Sequence, residues 1–139
     1  GVKQMDSNTQ KKKYQKSGLL KKQSGLKKRE LTKFLFIASS QTPTNLDVTK
    51  EQIDAMHRKN GLLGIGFHYV ITIDGDVKKG RDTDQIGFDL KHNDETIGIL
   101  LIGNTKFNEL QLKALKILKT ELTSKYGHLK IMTTLENIL

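Results

Sequence analysis

The apolar residues of this chain fall into short blocks whose spacing switches between that of a strand and that of a helix. Phe34-Leu35-Phe36-Ile37-Ala38 is an unbroken apolar run, which predicts a central strand. Thr49 with Gln52 three residues on forms a capping box, and Ile53 and Met56 give the helix it opens an apolar stripe. Asn60-Gly61 ends that helix. Residues 67–73 read as a strand, and Asp74-Gly75 predicts a hairpin turn into Asp76-Val77-Lys78. Residues 97–102 form a second buried strand, closed by Gly103-Asn104. Between Asn108 and Lys125, Leu112, Leu115, Leu118 and Leu122 recur at helical spacing until Gly127 stops the helix, and a short last strand fits 129–132. The predicted order is β-α-β-β-β-α-β, an α/β fold with a mixed central sheet and flanking helices.

Composition divides the chain in two. Residues 1–33 hold eleven Lys and Arg against Asp6 and Glu30, whereas residues 34–139 hold thirteen basic and thirteen acidic residues. The formal charge of +9 therefore sits at one end. A stretch this polar buries too little surface to offset its chain entropy, so residues 1–32 are expected to be a flexible basic arm and 33–139 a globular domain. Lys11, Lys12, Lys13, Lys16, Lys21, Lys22, Lys27, Lys28 and Arg29 are the candidate polyanion- or partner-binding residues of the arm. Such clusters attract nucleic-acid phosphates by counterion release, and an acidic protein groove or a membrane surface accounts for them equally well. The chain has no cysteine, which excludes disulfides and thiolate metal sites, and no run of eighteen apolar residues that would span a membrane. No charged-then-apolar secretion signal opens it.

The residues that carry chemistry are sparse. His57, His68, His92 and His128 lie in neither an HxH nor an HExxH arrangement and read as surface or hydrogen-bonded core histidines. Ser39 and Ser40 follow a buried strand, where a nucleophile can stand, but no G-x-S-x-G elbow surrounds them, so a loop-capping role is expected. Gly61, Gly64 and Gly66 precede a strand, the wrong order for dinucleotide binding. Asp74, Asp76, Asp82 and Asp84 fall in turns and loops, where carboxylates are usually solvated.

Several of these pieces, taken in order, resemble a known family. Residues 53–61, then Gly64-Ile65-Gly66-Phe67-His68-Tyr69, then Asp74-Gly75, Gly80-Arg81, Ile97-Gly98-Ile99 and the 108–127 helix are similar to the zinc N-acetylmuramoyl-L-alanine amidase family, which includes T7-type phage lysozymes and peptidoglycan recognition proteins. The resemblance covers roughly residues 33–133 and implies that family's mixed-sheet fold. It also implies where zinc ligands belong. The first falls on Ala38, the second on Thr133 or, one register later, Thr134, and the third beyond Leu139. Phe67 stands where the family has a tyrosine that polarises the substrate carbonyl, and His57 and His68 match histidines that do not bind zinc. The expectation is a degenerate member with no metal or other cofactor, no catalysis and a vestigial groove of Ala38, Phe67, His68 and Thr133. Its expected role is a phage or prophage pseudoenzyme kept as a binding or virion structural module. The alternatives are an inhibitor of a phage or host RNA polymerase, passive peptidoglycan binding, and an active amidase with a substitute metal site from His68, His92 or His128. A protein partner (virion subunits or polymerase) is expected, with nucleic acid through the arm and peptidoglycan as further options, in a virion or the bacterial cytoplasm.

Overall fold

The computed structural model describes residues 27–44, 46–61, 64–87, 90 and 92–138. Strands β1 (Phe34–Ser39), β2 (Tyr69–Ile71), β3 (Val77–Lys79), β4 (Thr96–Leu101) and β5 (Lys130–Thr133) make one mixed sheet in the order β3-β2-β4-β1-β5. Helices α1 (Lys50–Lys59) and α2 (Glu109–Tyr126) connect β1 to β2 and β4 to β5, and a short 3-10 turn, Asn93–Glu95, leads into β4. β1, β4 and β5 are parallel, β2 is parallel to β4, and only the β2–β3 hairpin is antiparallel.

Each helix starts where its sequence signal lies. Thr49 Oγ1 accepts from the Gln52 amide while Gln52 Oε1 accepts from the Thr49 amide, and Asn108 and Gln111 repeat the exchange for α2. Two orphan amide donors are thereby satisfied at each N-terminus. Alternation along β1 then sends Leu35 and Ile37 to one face of the sheet and Phe36 and Ala38 to the other. Leu115, Leu118 and Leu122 of α2 pack on the first face with Ile97, Ile99 and Leu101. Ile53 of α1 packs on the second with Phe67, Val70, Leu100 and Ile102. β4, with all six residues buried, is shared by both cores.

Three expectations change. The strand foreseen at 67–73 shortens to Tyr69–Ile71, because Phe67 and His68 are drawn into bends by bonds outside the ladder: His68 N donates to Gly98 O, and Phe67 O accepts from Arg81 N. Met56 is exposed, and His57 takes the buried place beside Ile53. The boundary at 32–33 is also displaced. Lys28 forms an antiparallel bridge to Gln85, Arg29 N donates to Asp84 O, and Ile86 N donates to Lys27 O. Residues 27–30 therefore belong to the folded body. Lys11, Lys12, Lys13, Lys16, Lys21 and Lys22 lie outside the described residues.

Candidate functional site

The connections from the adjacent strands β1 and β4 leave toward opposite faces of the sheet, one through α1 and the other through α2. In open α/β sheets the crevice outside such a pair of strand ends is where ligands bind. Here the rim is stitched by hydroxyls. Ser40 Oγ accepts from Gly103 N (2.9 Å), lies 2.7 Å from Thr42 Oγ1 and donates to Gly103 O (3.3 Å). The loop-capping role expected of Ser40 is thus what its bonds show. Beside it Gln41 holds φ +57°, a left-handed conformation that costs a non-glycine residue about 1–2 kcal/mol. Strained residues of this kind cluster at binding and catalytic sites.

The four residues expected to share a groove are dispersed. Ala38 is half-buried on the α1 face, against Phe36 and the second core. Thr133 pairs with Ile37, so it lies on the α2 face. Its hydroxyl donates to Ile37 O at 2.7 Å and accepts from Leu135 N at 3.1 Å. Thr134 leaves the strand as an exposed bend. Phe67 is buried, its ring stacked on Phe36 with centroids 6.2 Å apart. His68 has no exposed surface at all. A single open groove over these positions is therefore corrected by the alternation of β1 and β5 and by burial of the 67–68 turn.

The motif residues turn out to be scaffold. His57 Nδ1 accepts from Gly66 N (2.9 Å), and Asp54 Oδ1 accepts from Ile65 N (2.7 Å) while Oδ2 takes Arg58 Nε (2.7 Å). Partial burial opposes the Asp54 charge, yet the bonds from Arg58 and Ile65 outweigh it and hold the carboxyl below its ordinary value. Arg81 donates to Ile65 O and Ile86 O. A Cβ at Gly80 would run into the Phe67 carbonyl oxygen, so only glycine lets the two segments meet.

His68 is the pivot of this region. Its Nδ1 lies 3.0 Å from Gly98 N and can only accept there, which fixes the proton on Nε2, 2.6 Å from Gln85 O. Burial pushes its pKa down to about 4; the Gln85 bond opposes the shift, and the nearby Arg29 and Arg81 charges reinforce it. Arg29, expected to serve polyanions, is instead buried at 9 % exposure. It donates to Gln85 O (3.1 Å) and Thr32 Oγ1 (2.7 Å), reaches Tyr126 Oη (3.5 Å), and sits 5.6 Å from the Tyr126 ring centroid. Desolvation lowers its pKa. Lys27 and Lys28 remain exposed. No local sequence signal separates Arg29 from its basic neighbours, since Gln85 and Tyr126, which hold it, are distant in the chain.

A cleft of about 630 Å³ opens at the same end of the sheet, between the β4–α2 loop and the segment after β5. Lys106, Glu136, Thr105, Thr134 and Asn137 supply its polar lining, with Phe107 and Leu135 among its apolar walls. Sequence reasoning passed over it, because its two sides lie about thirty positions apart in loops without a motif. The zinc that the resemblance implies is a different matter. Among the described residues no group of three or more His, Cys, Asp or Glu stands where it could hold a metal ion. Ala38 offers a methyl group, and the Thr133 hydroxyl is committed to Ile37 O. Zinc therefore does not fit the donor set at these positions. His92 and His128 are exposed and His68 is enclosed, so the substitute site drawn from them is not assembled.

No family model matches the chain. It is similar to the endolysin of Klebsiella phage KP32, 33% identical over 108 residues that cover 71% of this chain and 72% of that one. The endolysin of Escherichia phage T7 is 32% identical over 109 residues, 72% of each chain. Among solved structures, the Ph2119 endolysin from Thermus scotoductus MAT2119 bacteriophage Ph2119 superposes with a TM-score of 0.69 at 23% identity, covering 78% of this chain and 75% of that one. The N-acetylmuramoyl-L-alanine amidase LysC from Clostridium intestinale URNW gives 0.67 at 24%, covering 74% and 70%. Drosophila PGRP-LB gives 0.65 at 25%, covering 74% and 69%. Among the described residues no helix is long and apolar enough to cross a membrane.

These relatives overturn the expectation of a non-catalytic pseudoenzyme serving as a virion module or polymerase inhibitor. They carry the names endolysin and N-acetylmuramoyl-L-alanine amidase, which point to an enzyme, and nothing in them supports a virion, polymerase or nucleic-acid partner. The expectation failed because it read loss of activity from the residues at donor positions such as Ala38 and Thr133, and those positions bear on one arrangement of metal donors only. With a third of the aligned residues identical over more than two thirds of both chains, on the fold of the amidases and peptidoglycan recognition proteins, the chain belongs to the T7-type phage endolysin family.

Proposed function

We propose that this chain acts on bacterial peptidoglycan as an endolysin, cleaving the amide bond between the N-acetylmuramoyl group and L-alanine. The observation that carries the reading is the identity to phage endolysins over more than two thirds of both chains. Two features of the molecule support it. The carboxyl rim of the parallel strands, with strained Gln41 and the Ser40–Gly103 stitch, is where an α/β sheet takes its ligand. An adjoining cleft of about 630 Å³ is of ordinary ligand size.

Because zinc does not fit Ala38 and Thr133, no metal step is assigned to them; what the described residues supply is the shape and polarity of the rim. The test treats purified sacculi with the full chain and analyses the soluble fraction. Stem peptides bearing a newly freed alanine amine are the expected product. Sacculi that stay intact, with no amine released, would overturn the hydrolytic reading, and failure of the protein to sediment with them would overturn peptidoglycan as its target.

A further inference from the structure

Among the described residues six large apolar side chains are exposed, and three of them share one region. Leu110 (60% exposed) and Ile117 (52%) stand seven residues apart on α2, so they lie on one flank of that helix. This flank faces the β2–β3 hairpin, since a Cβ at Gly75 would come within 2.9 Å of the Leu110 Cβ, and Asn108 Nδ2 donates to Ile73 O. Val77, 42% exposed, pairs with Ile71, whose side chain lies in the core under α2, so Val77 stands on the same side of the sheet. Half-buried Ala114 and Tyr69 complete the strip. Leu31, Leu46 and Met56 are exposed singly on three other segments. A contiguous apolar strip, unlike such single residues, marks an interaction surface.

The charges along the strip identify what covers it. Lys113 and Glu121 stand four residues before and four after Ile117, about 6 Å to either side along the helix axis. Both are exposed, and neither joins an ion pair among the described residues. Turned end for end about Ile117, a second α2 brings its Lys113 level with Glu121 of the first and its Glu121 level with Lys113. Ile117 then meets Ile117, and Leu110 comes level with Ser124. The charge order thus complements itself under a two-fold axis, as an isologous interface requires. An anionic membrane would attract Lys113 but repel Glu121 on the same flank. We propose that the α2 flank of Leu110, Lys113, Ile117 and Glu121 docks a second copy of this chain, packed antiparallel about Ile117. Two Lys113–Glu121 pairs form across the axis, and each apolar strip covers the other. None of these residues belongs to the Ser40–Gly103 rim, so the dimer stands apart from the hydrolytic reading.

Sedimentation velocity of the full chain over a concentration series tests this. The strip is smaller than a standard interface, so a monomer–dimer equilibrium with a dissociation constant on the order of 0.1 mM is expected. Lys113→Glu and Glu121→Lys should each raise that constant about tenfold, since each sets two like-charged pairs across the axis. Combining Lys113→Glu with Glu121→Lys should restore the original constant, because the pairs re-form with their signs exchanged. Ile117→Glu should abolish association. All three positions are exposed, and an unchanged melting temperature confirms that each variant is folded. A chain that stays monomeric to about 1 mM, single variants that dimerise normally, or a double variant no better than the singles would overturn the assignment. Co-sedimentation with vesicles of phosphatidylethanolamine and phosphatidylglycerol examines the other occupant. Vesicle binding by a monomer, lost in Ile117→Glu, would give the strip to a membrane surface and overturn the dimer.

Discussion

Lowering the pH should destabilise this fold through one residue, His68. The neutral ring is built in: Nδ1 accepts from Gly98 N, Nε2 donates to Gln85 O, and the side chain is fully enclosed. A proton on Nδ1 would face the Gly98 N–H, donor against donor, in a side chain closed to bulk solvent. The folded pKa is pushed down to about 4, mainly by burial, against about 6.5 in the unfolded chain. Since the folded value lies below the unfolded one, the unfolded state binds the proton first, and stability falls as pH drops from about 6.5 toward 4. Linkage gives a loss of about 1.3 kcal/mol between pH 7.5 and 5.5 and about 2.5 kcal/mol by pH 4.5. Most of this window lies above the range in which carboxylates such as Asp54 begin to protonate.

Urea unfolding at stepped pH measures this directly, compared with His68→Gln. The variant keeps a donor for Gln85 O but loses the acceptor for Gly98 N, so it should be weaker at neutral pH by about 1–3 kcal/mol. It should also be flatter with pH by the amount His68 contributes. The His68 ring resonances should not titrate between pH 8 and 5. A wild-type slope equal to that of the variant, or a His68 titration near pH 6.5, would refute the burial argument.

The buried Arg29 makes a second prediction. Arg29→Ala should cost about 2–3 kcal/mol in chemical unfolding, because Gln85 O loses its charged donor. An unfolding free energy equal to that of the unaltered chain would contradict the structural role of Arg29. Gly80→Ala should destabilise by about 1–3 kcal/mol in chemical unfolding, since its methyl meets the Phe67 carbonyl oxygen, which cannot rotate aside. Ser40→Ala should cost about 1–2 kcal/mol by leaving Gly103 N without its acceptor, and faster amide exchange at Gly103 would show it.

Local signals in the sequence reached most of the fold. Capping boxes at Thr49 and Asn108, the turn at Asp74-Gly75 and the leucine spacing of α2 act between near neighbours, so a linear reading finds them. The misses are all long-range. Phe67 and His68 have strand-like chemistry, yet bonds to Gly98 and Arg81 pull them out of the ladder. Arg29 looks like any arm cation until Gln85 and Tyr126 close around it. The motif resemblance identified the family correctly because it rests on scaffold: Asp54, His57, Gly80 and Arg81 fix the 64–68 turn. The same resemblance misled about activity, because substitutions at donor positions such as Ala38 and Thr133 were read as loss of hydrolysis, whereas the relatives carry the name endolysin. The cleft between the β4–α2 loop and the segment after β5 was invisible for a simpler reason, its walls being two loops joined only by the crossover of α2 over β1.

The proposed hydrolysis of peptidoglycan is tested most directly by mass analysis of what this chain releases from purified sacculi. The account predicts free stem peptides that begin with an unblocked L-alanine, alongside glycan strands left uncut. Sacculi that release neither peptide nor free amine would contradict it.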